Sequence, residues 1–249
     1  IIPHINEGAD GTEEYLISEN IKYTITKYNA GICEGVNTAA KKATTNYILY
    51  THDDFYFLPR WDEVLLKEIK KIPHNKFYLS GIMMNNGPLK LDCGNNLNDF
   101  NEKKLLENYN KVNHFNFQGS TWAPHLIHKD LWNKVGGFSE EYFPGTGSDP
   151  DLNMKLWNEG VRIFKGLNNC KVYHFSSVTS RKGGNYNYGS RIFLLKWKIT
   201  VKFFKKHYLK TNEDYLGPLI DPIKNFYYYL DLIKCKLTFF YYKFLTKFN

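Results

Sequence analysis

The stretch YILYTHDDFYFLP, residues 47–59, runs through bulky apolar side chains, stops at two adjacent carboxylates, Asp53 and Asp54, and closes on a proline. Apolar residues at consecutive positions mark a strand buried on both faces, as in the centre of a parallel sheet. The two carboxylates then fall at the strand's carboxyl end, where open α/β sheets bind their ligands. Neighbouring carboxylates repel each other unless a cation or a set of donors holds them. A hard divalent ion, Mg or Mn, prefers such oxygen ligands and commonly completes its shell with substrate phosphates. Adjacent side chains at a strand end diverge, so one is expected at the ion and the other at a sugar hydroxyl or the ion's water. The competing reading is a plain turn ahead of Pro59, for which Asp is equally suited.

Outward from this stretch, short apolar runs alternate with helical periodicity. TEEYLISEN reads as a short helix, IKYTITKY as a strand, GICEGVNTAAKKATT as a helix with an Ala/Val face, and NYILYT as the strand above. RWDEVLLKEIKKI carries Trp61, Val64, Leu65 and Ile69 at the three-and-four spacing of an amphipathic helix. FYLSGIMM is another strand, followed by a polar, Gly-rich excursion, NNGPLKLDCGNNLND. HKDLWNKVGGF reads as a helix closed by Gly136, DPDLNMKLWNEG as one opened by Asp149-Pro150 and closed by Gly160, and CKVYHFSS as a late strand. Strands alternating with helices predict a parallel sheet covered on both faces.

Composition agrees with a packed core. The 249 residues are 43% hydrophobic and 17% aromatic, far from a disordered composition. A formal charge of +8 points to anionic partners: phosphates, nucleic acid or an anionic membrane. The basic residues are scattered and no RNA-binding signature is present, so a nucleic-acid module is the lesser reading. Cys33, Cys93, Cys170 and Cys235 lie far apart without a C-x-x-C pair, the usage of a reducing compartment, and no signal peptide or run of 18 apolar residues occurs. The expected location is cytoplasmic, or peripheral at the cytoplasmic face of a membrane.

In order and spacing, GADGTEEYL, the run from NAGICEGVNTAAKKATTNYILYTHDDFYFLP to RWDEVL, GGFSEEYFPGTGSDPDLNMKLWNEGVRIF and VYHF resemble glycosyltransferase family 2, of the GT-A type. The resemblance covers roughly residues 4–180. It implies a GT-A, Rossmann-like α/β fold with a mostly parallel sheet flanked by helices, and transfer of a sugar from a nucleotide-diphospho-sugar to a hydroxyl with inversion. In that family the strand-end acids are the metal and nucleotide-sugar site, matched here by Asp53 and Asp54, with Asp54 at the metal; His52 stands where many members carry a further acid. The family's catalytic base is the Asp of an acidic pair ahead of a helix, matched by Asp149, with Ser148 in place of the usual Glu and Asp151 following. Read alone, Asp149 is also a good helix cap, and Ser148 with Asp151 a capping-box variant. His174 matches a histidine that some GT-A enzymes use as a further metal ligand, and a lone His between aromatic residues fits a packed core equally well. Asn6, Glu7 and Asp10 match the turn that addresses the nucleobase and ribose; Gly31 and Asn37 match the segment leading into the next helix near the donor. Arg181 and Lys182, in a Gly-rich lid, would clamp the diphosphate, or are solvated surface charges. Members begin with a strand and helix ahead of the first turn, and IIPHIN, although similar to that strand, leaves no room for the helix.

QGSTWAPHLIHKDLW is expected on the acceptor side, with Trp122 and His125 near a sugar, although a large aromatic such as Trp122 fits a core better. Residues 1–180 are thus expected to form the catalytic domain, and 181–249 a lid and a helical, basic, aromatic extension. Within the extension Phe193, Trp197, Val201, Phe204 and Tyr208 share one helical face, and Leu230, Ile233, Leu237, Phe240, Phe244 and Phe248 a second, interrupted by Lys234, Lys236, Lys243 and Lys247. That pattern suits a membrane surface or a helix packed on the catalytic domain. The expected partners are a nucleotide-diphospho-sugar, a glycan or glycolipid acceptor such as surface polysaccharide assembly uses, and Mn or Mg. The competing reading is a non-catalytic relative that acts as a membrane-surface scaffold.

Overall fold

The computed structural model describes residues 1–85, 87–175 and 186–245. Its first third follows the expected alternation: β1 (His4–Asn6), α1 (Thr12–Ser18), β2 (Thr24–Thr26), α2 (Gly31–Ala40) and β3 (Tyr47–Tyr50). β1 and β2 pair in parallel as a two-stranded sheet. Next come β4 (Phe55–Phe57), α3 (Trp61–Ile69), β5 (Phe77–Asn85) and α4 (Glu102–Asn108), then β6 (Phe117–Gln118), β7 (His125–His128), α5 (Lys129–Val135), α6 (Ser148–Asn158) and β8 (Ile163–His174).

The main sheet has the order β3-β7-β5-β8-β4, with β6 paired to β8. It is mixed rather than mostly parallel: β5 and β8 run parallel, whereas β3 with β7, β5 with β7, β4 with β8 and β6 with β8 are antiparallel. β3 accordingly ends this path instead of lying at its centre, and only Ile48 and Tyr50 on it are fully buried. The strand covered on both faces is β5. Phe77 and Leu79 pack with Leu65 of α3, while Tyr78 between them packs with Ile127, Leu152, Leu156 and Phe164, so alternate side chains enter two cores. At Gly81 the β5–β8 register shifts, and a Cβ there would lie 2.7 Å from the Cys170 carbonyl oxygen. Only glycine admits that approach.

Beyond β8 the chain is helical, with α7 (Tyr186–Trp197), α8 (Val201–Phe204) continued by a π-helical turn Lys205–Leu209, and α9 (Phe226–Leu245). The apolar face expected to run unbroken through Phe193 and Phe204 is interrupted. Lys198 takes a positive φ of 61°, and Thr200 restarts the helix, its hydroxyl accepting from the Phe203 N–H at 3.1 Å. Phe193 and Phe204 still reach the core shared by β5 and α6.

Candidate functional site

β3 ends at Tyr50, and the turn Thr51–Asp54 leads directly into β4. β4 pairs antiparallel with the end of β8, setting Phe55 opposite His174, and the Asp54 carbonyl accepts from the Phe175 N–H. That pairing joins residues 120 apart in sequence: His174 Nε2 lies 3.0 Å from Asp54 Oδ2. His52 stacks on Phe55, and its Nε2 lies 2.8 Å from the Tyr50 hydroxyl, which turns Nδ1 towards Asp54 Oδ1 at 3.9 Å. Burial pushes the Asp54 carboxyl up, but the hydrogen bond and charge of His174, aided by His52, outweigh it and hold Asp54 below the ordinary carboxylate value. Burial lowers His52, only partly offset by Asp54, so it stays neutral near neutral pH. Asp53 points into solvent.

Among the described residues no group of three or more His, Cys, Asp or Glu side chains is arranged to hold a metal. Asp54 nevertheless has a buried Oδ1 with no hydrogen-bond partner, beside an imidazole. One carboxylate and one imidazole suit an ion that takes its remaining ligands from a diphosphate and water.

The second half of the site comes from α6. The helix is capped by Gly147 in the left-handed conformation (φ 89°) with Ser148 as its first residue, so Asp149 lies inside the first turn and does not cap it. Ser148 instead donates to the Gly145 carbonyl. The Asp149 Oδ1 is buried and accepts no hydrogen bond, and desolvation raises this carboxyl to about 7, against a smaller opposing effect of Lys205. Burial holds the Tyr50 hydroxyl well up, with smaller contributions from carboxylates that include Asp149, Asp53 and Asp54.

Asp151, two residues on, has a different environment. It is fully buried and accepts from Ser139 Oγ (2.6 Å), Tyr142 Oη (3.2 Å) and Trp197 Nε1 (2.8 Å), with Lys196 Nζ at 2.9 Å. It joins α6, the turn before it and α7, and forms no capping box with Ser148.

The remaining predicted residues divide into groups. Asn6 accepts from the Ala30 N–H at 3.0 Å and so ties β1 to the start of α2, where Gly31 has φ 67° and would meet the Phe143 ring and the Pro144 carbonyl with any Cβ. Glu7 is exposed with φ 68°, and Asp10 accepts from the Thr12 N–H in the turn before α1. Asn37 is engaged elsewhere: its amide donates to the Phe138 carbonyl and accepts from the Phe138 N–H, clamping the Gly136-Gly137 turn after α5. Arg181 and Lys182 lie outside the described residues. His125 does not face a sugar; it is fully buried, 2.9 Å from the Tyr78 hydroxyl, and burial lowers it to about 3. Trp122 is half-buried, stacked on Phe117, at the wall of a cleft of about 540 Å³ whose other walls include Lys202, Lys205 and Lys210. Neither Asp54 nor His174 lines that cleft, and Lys205 relates it to Asp149. Sequence reasoning missed Lys205, whose only signal was a place on the polar side of a helix.

Residues 5–123 match the model of Glycosyl transferase family 2. No curated protein matches the chain in sequence. Solved structures share its fold: S. aureus TarS 1-349 in complex with UDP-GlcNAc has 11% identity and a TM-score of 0.53, over 78% of this chain and 56% of that one. GalNAc-T7 with UDP, GalNAc and Mn2+ has 14% identity and a TM-score of 0.51, over 80% and 44%. This chain thus spans about half the length of those it resembles. The match to Glycosyl transferase family 2 thus covers residues 5–123, within an α/β sheet flanked by helices like that of these GT-A structures.

Proposed function

We propose that this chain transfers a sugar from a nucleotide-diphospho-sugar to an acceptor hydroxyl. The reading is carried by the Asp54–His174 pair, 3.0 Å apart beyond the end of β3, together with the buried, unpartnered Asp149 Oδ1 in the first turn of α6, whose carboxyl is raised to about 7. Asp149 and His174 lie beyond the family-matched segment, so their roles rest on this geometry. TarS was solved with UDP-GlcNAc and GalNAc-T7 with UDP and Mn2+, which favours a UDP-sugar donor and a divalent ion.

In this mechanism Asp149, as carboxylate, takes the proton from the acceptor hydroxyl. A buried, unpartnered Oδ1 whose carboxyl is raised to about 7 is a stronger base than an exposed aspartate and still half ionised near neutral pH. The acceptor oxygen forms a bond to the anomeric carbon as the diphosphate leaves with the electron pair of the broken bond, and this single displacement inverts the centre. Asp54 and His174 would hold Mn or Mg, which offsets the negative charge of the diphosphate. Tyr50 fixes His52, and the hydrogen bond with His174 helps to hold Asp54 below the ordinary carboxylate value. Asp53, exposed beside them, is assigned to the donor sugar or ribose together with Asn6, Glu7, Asp10 and Gly31, and Arg181 and Lys182 to the diphosphate, whereas Asn37 is already held by Phe138. Lys202, Lys205 and Lys210 give the cleft beside Trp122 a basic wall suited to an acidic glycan or glycolipid acceptor, as in surface polysaccharide assembly at the cytoplasmic face of a membrane.

The test is Asp149→Asn, assayed for release of nucleoside diphosphate from UDP-sugars and, in parallel, for donor binding. Loss of turnover with binding retained is expected. Normal turnover would remove Asp149 from the chemistry.

A further inference from the structure

α9 is apolar on two opposite sides. Tyr228, Leu232, Cys235 and Phe239, at helical spacing, face the protein, and Tyr228 and Cys235 are buried in the main core. Its orientation is fixed by Asp231, bonded to Lys206 Nζ (2.7 Å) and His207 Nε2 (3.0 Å), and by Cys235 Sγ, 3.5 Å from the Thr200 hydroxyl. The other side carries Phe226, Leu230, Ile233, Leu237 and Phe240, spaced four, three, four and three apart, hence one continuous stripe. Their exposures are 71, 38, 54, 66 and 63%. Ile220 and Ile223, just ahead of the helix, are also exposed. A stripe of this size on one helix is more than scattered surface hydrophobicity explains.

What covers it is indicated by charge. Lys234, whose Nζ lies 3.5 Å from Asp231 Oδ1, and Lys236 border the stripe on its two sides, and Asp231, the sole acid of α9, is shared with Lys206 and His207 towards the packed side. Residues 198–245 carry nine lysines against four acids. Two copies joined stripe to stripe would bring bordering lysines together with no acid on α9 beyond Asp231, which Lys206, His207 and Lys234 already share. Anionic headgroups supply the missing counter-charge, while lysine stems reach outward from a shallowly buried helix. No described helix is long and apolar enough to cross a membrane.

We infer that α9 docks this chain on an anionic lipid surface, its 20 residues lying in the plane of the interface over about 30 Å. The inference is independent of the transferase reading: it would hold for a non-catalytic relative, and the transferase reading would survive its failure.

The test is flotation of the full chain with phosphatidylglycerol–phosphatidylcholine vesicles and with phosphatidylcholine alone. Binding is expected to anionic vesicles and to weaken with salt. Leu237→Glu with Phe240→Glu, at exposed positions that leave the fold intact by circular dichroism, should lower the partition at least about tenfold. Lys234→Gln and Lys236→Gln should each lower it about fivefold on anionic vesicles. The inference is overturned by absence of binding to anionic vesicles, by equal binding of the Leu237→Glu, Phe240→Glu protein, or by a dimer in solution that the same pair of substitutions dissociates.

Discussion

Replacing Asp149 by Asn should stabilise the protein while abolishing its turnover. Folding raises the Asp149 carboxyl from 3.8 to about 7 by desolvation, opposed only in part by Lys205. Below about pH 4 the group is protonated whether the chain is folded or not, and it contributes no pH-dependent term. Between about pH 4 and 7 the unfolded chain has lost the proton and the folded chain keeps it, so stability falls by about 1.4 kcal/mol per pH unit. Above 7 both states are ionised and the penalty levels off, at no more than about 4 kcal/mol, because part of the residue still meets solvent. An amide has no charge to desolvate. Urea unfolding of the two proteins from about pH 5 to 8.5 should therefore show an advantage for Asp149→Asn that grows with pH and becomes constant above 7. A difference independent of pH, or one that favours the parent at high pH, would refute a desolvated Asp149 and with it the reason for its basicity.

Asp151→Ala should act oppositely, lowering stability by about 3–5 kcal/mol, since it leaves Lys196, Trp197 and Tyr142 without their buried acceptor. Thermal unfolding measures this, and a loss below about 1 kcal/mol would mean the network is not structural. Gly166→Ala should cost about 3 kcal/mol, because its Cβ would fall 2.0 Å from the buried Phe117 ring, which is backed by stacked Trp122. A melting temperature unchanged in that variant would count against the β6–β8 packing.

The sequence disclosed elements whose periodicity is long and whose ends are marked. α3 follows its apolar spacing, and α5 stops at Gly136 with φ 72° as predicted. Short elements were not legible. β7 is four residues between histidines, and α4 is mostly charged with Leu105 alone fully buried, so neither carries a pattern of its own. The break between α7 and α8 was hidden because apolar residues keep their spacing across it, although Thr200 offers a capping signal. The parallel sheet expected around β3 failed because four apolar residues suit an outer antiparallel strand packed on α2 and α5 as well as a central one.

For the site, residue types in sequence proved informative about chemistry and silent about partners. Asp54 and His174 each stand out in the sequence by residue type and place, yet only the antiparallel pairing of β4 with β8 makes them neighbours. In sequence Asp149 suits either a base or a helix cap; the left-handed Gly147 takes the capping position, and the Asp149 Oδ1 has no hydrogen-bond partner. Asp151 and Lys205 gained their roles from tertiary packing, which no local pattern encodes.

The central claim is that Asp54 holds a divalent ion against the diphosphate of a nucleotide sugar. Calorimetric titration of UDP and GDP into the protein, with and without Mn, and again into Asp54→Ala, tests it most directly. The expected result is binding of one nucleotide that requires Mn in the parent and is lost in Asp54→Ala. Binding that ignores Mn or survives the substitution would contradict the assignment, and no binding of either nucleotide to folded protein would favour a non-catalytic relative.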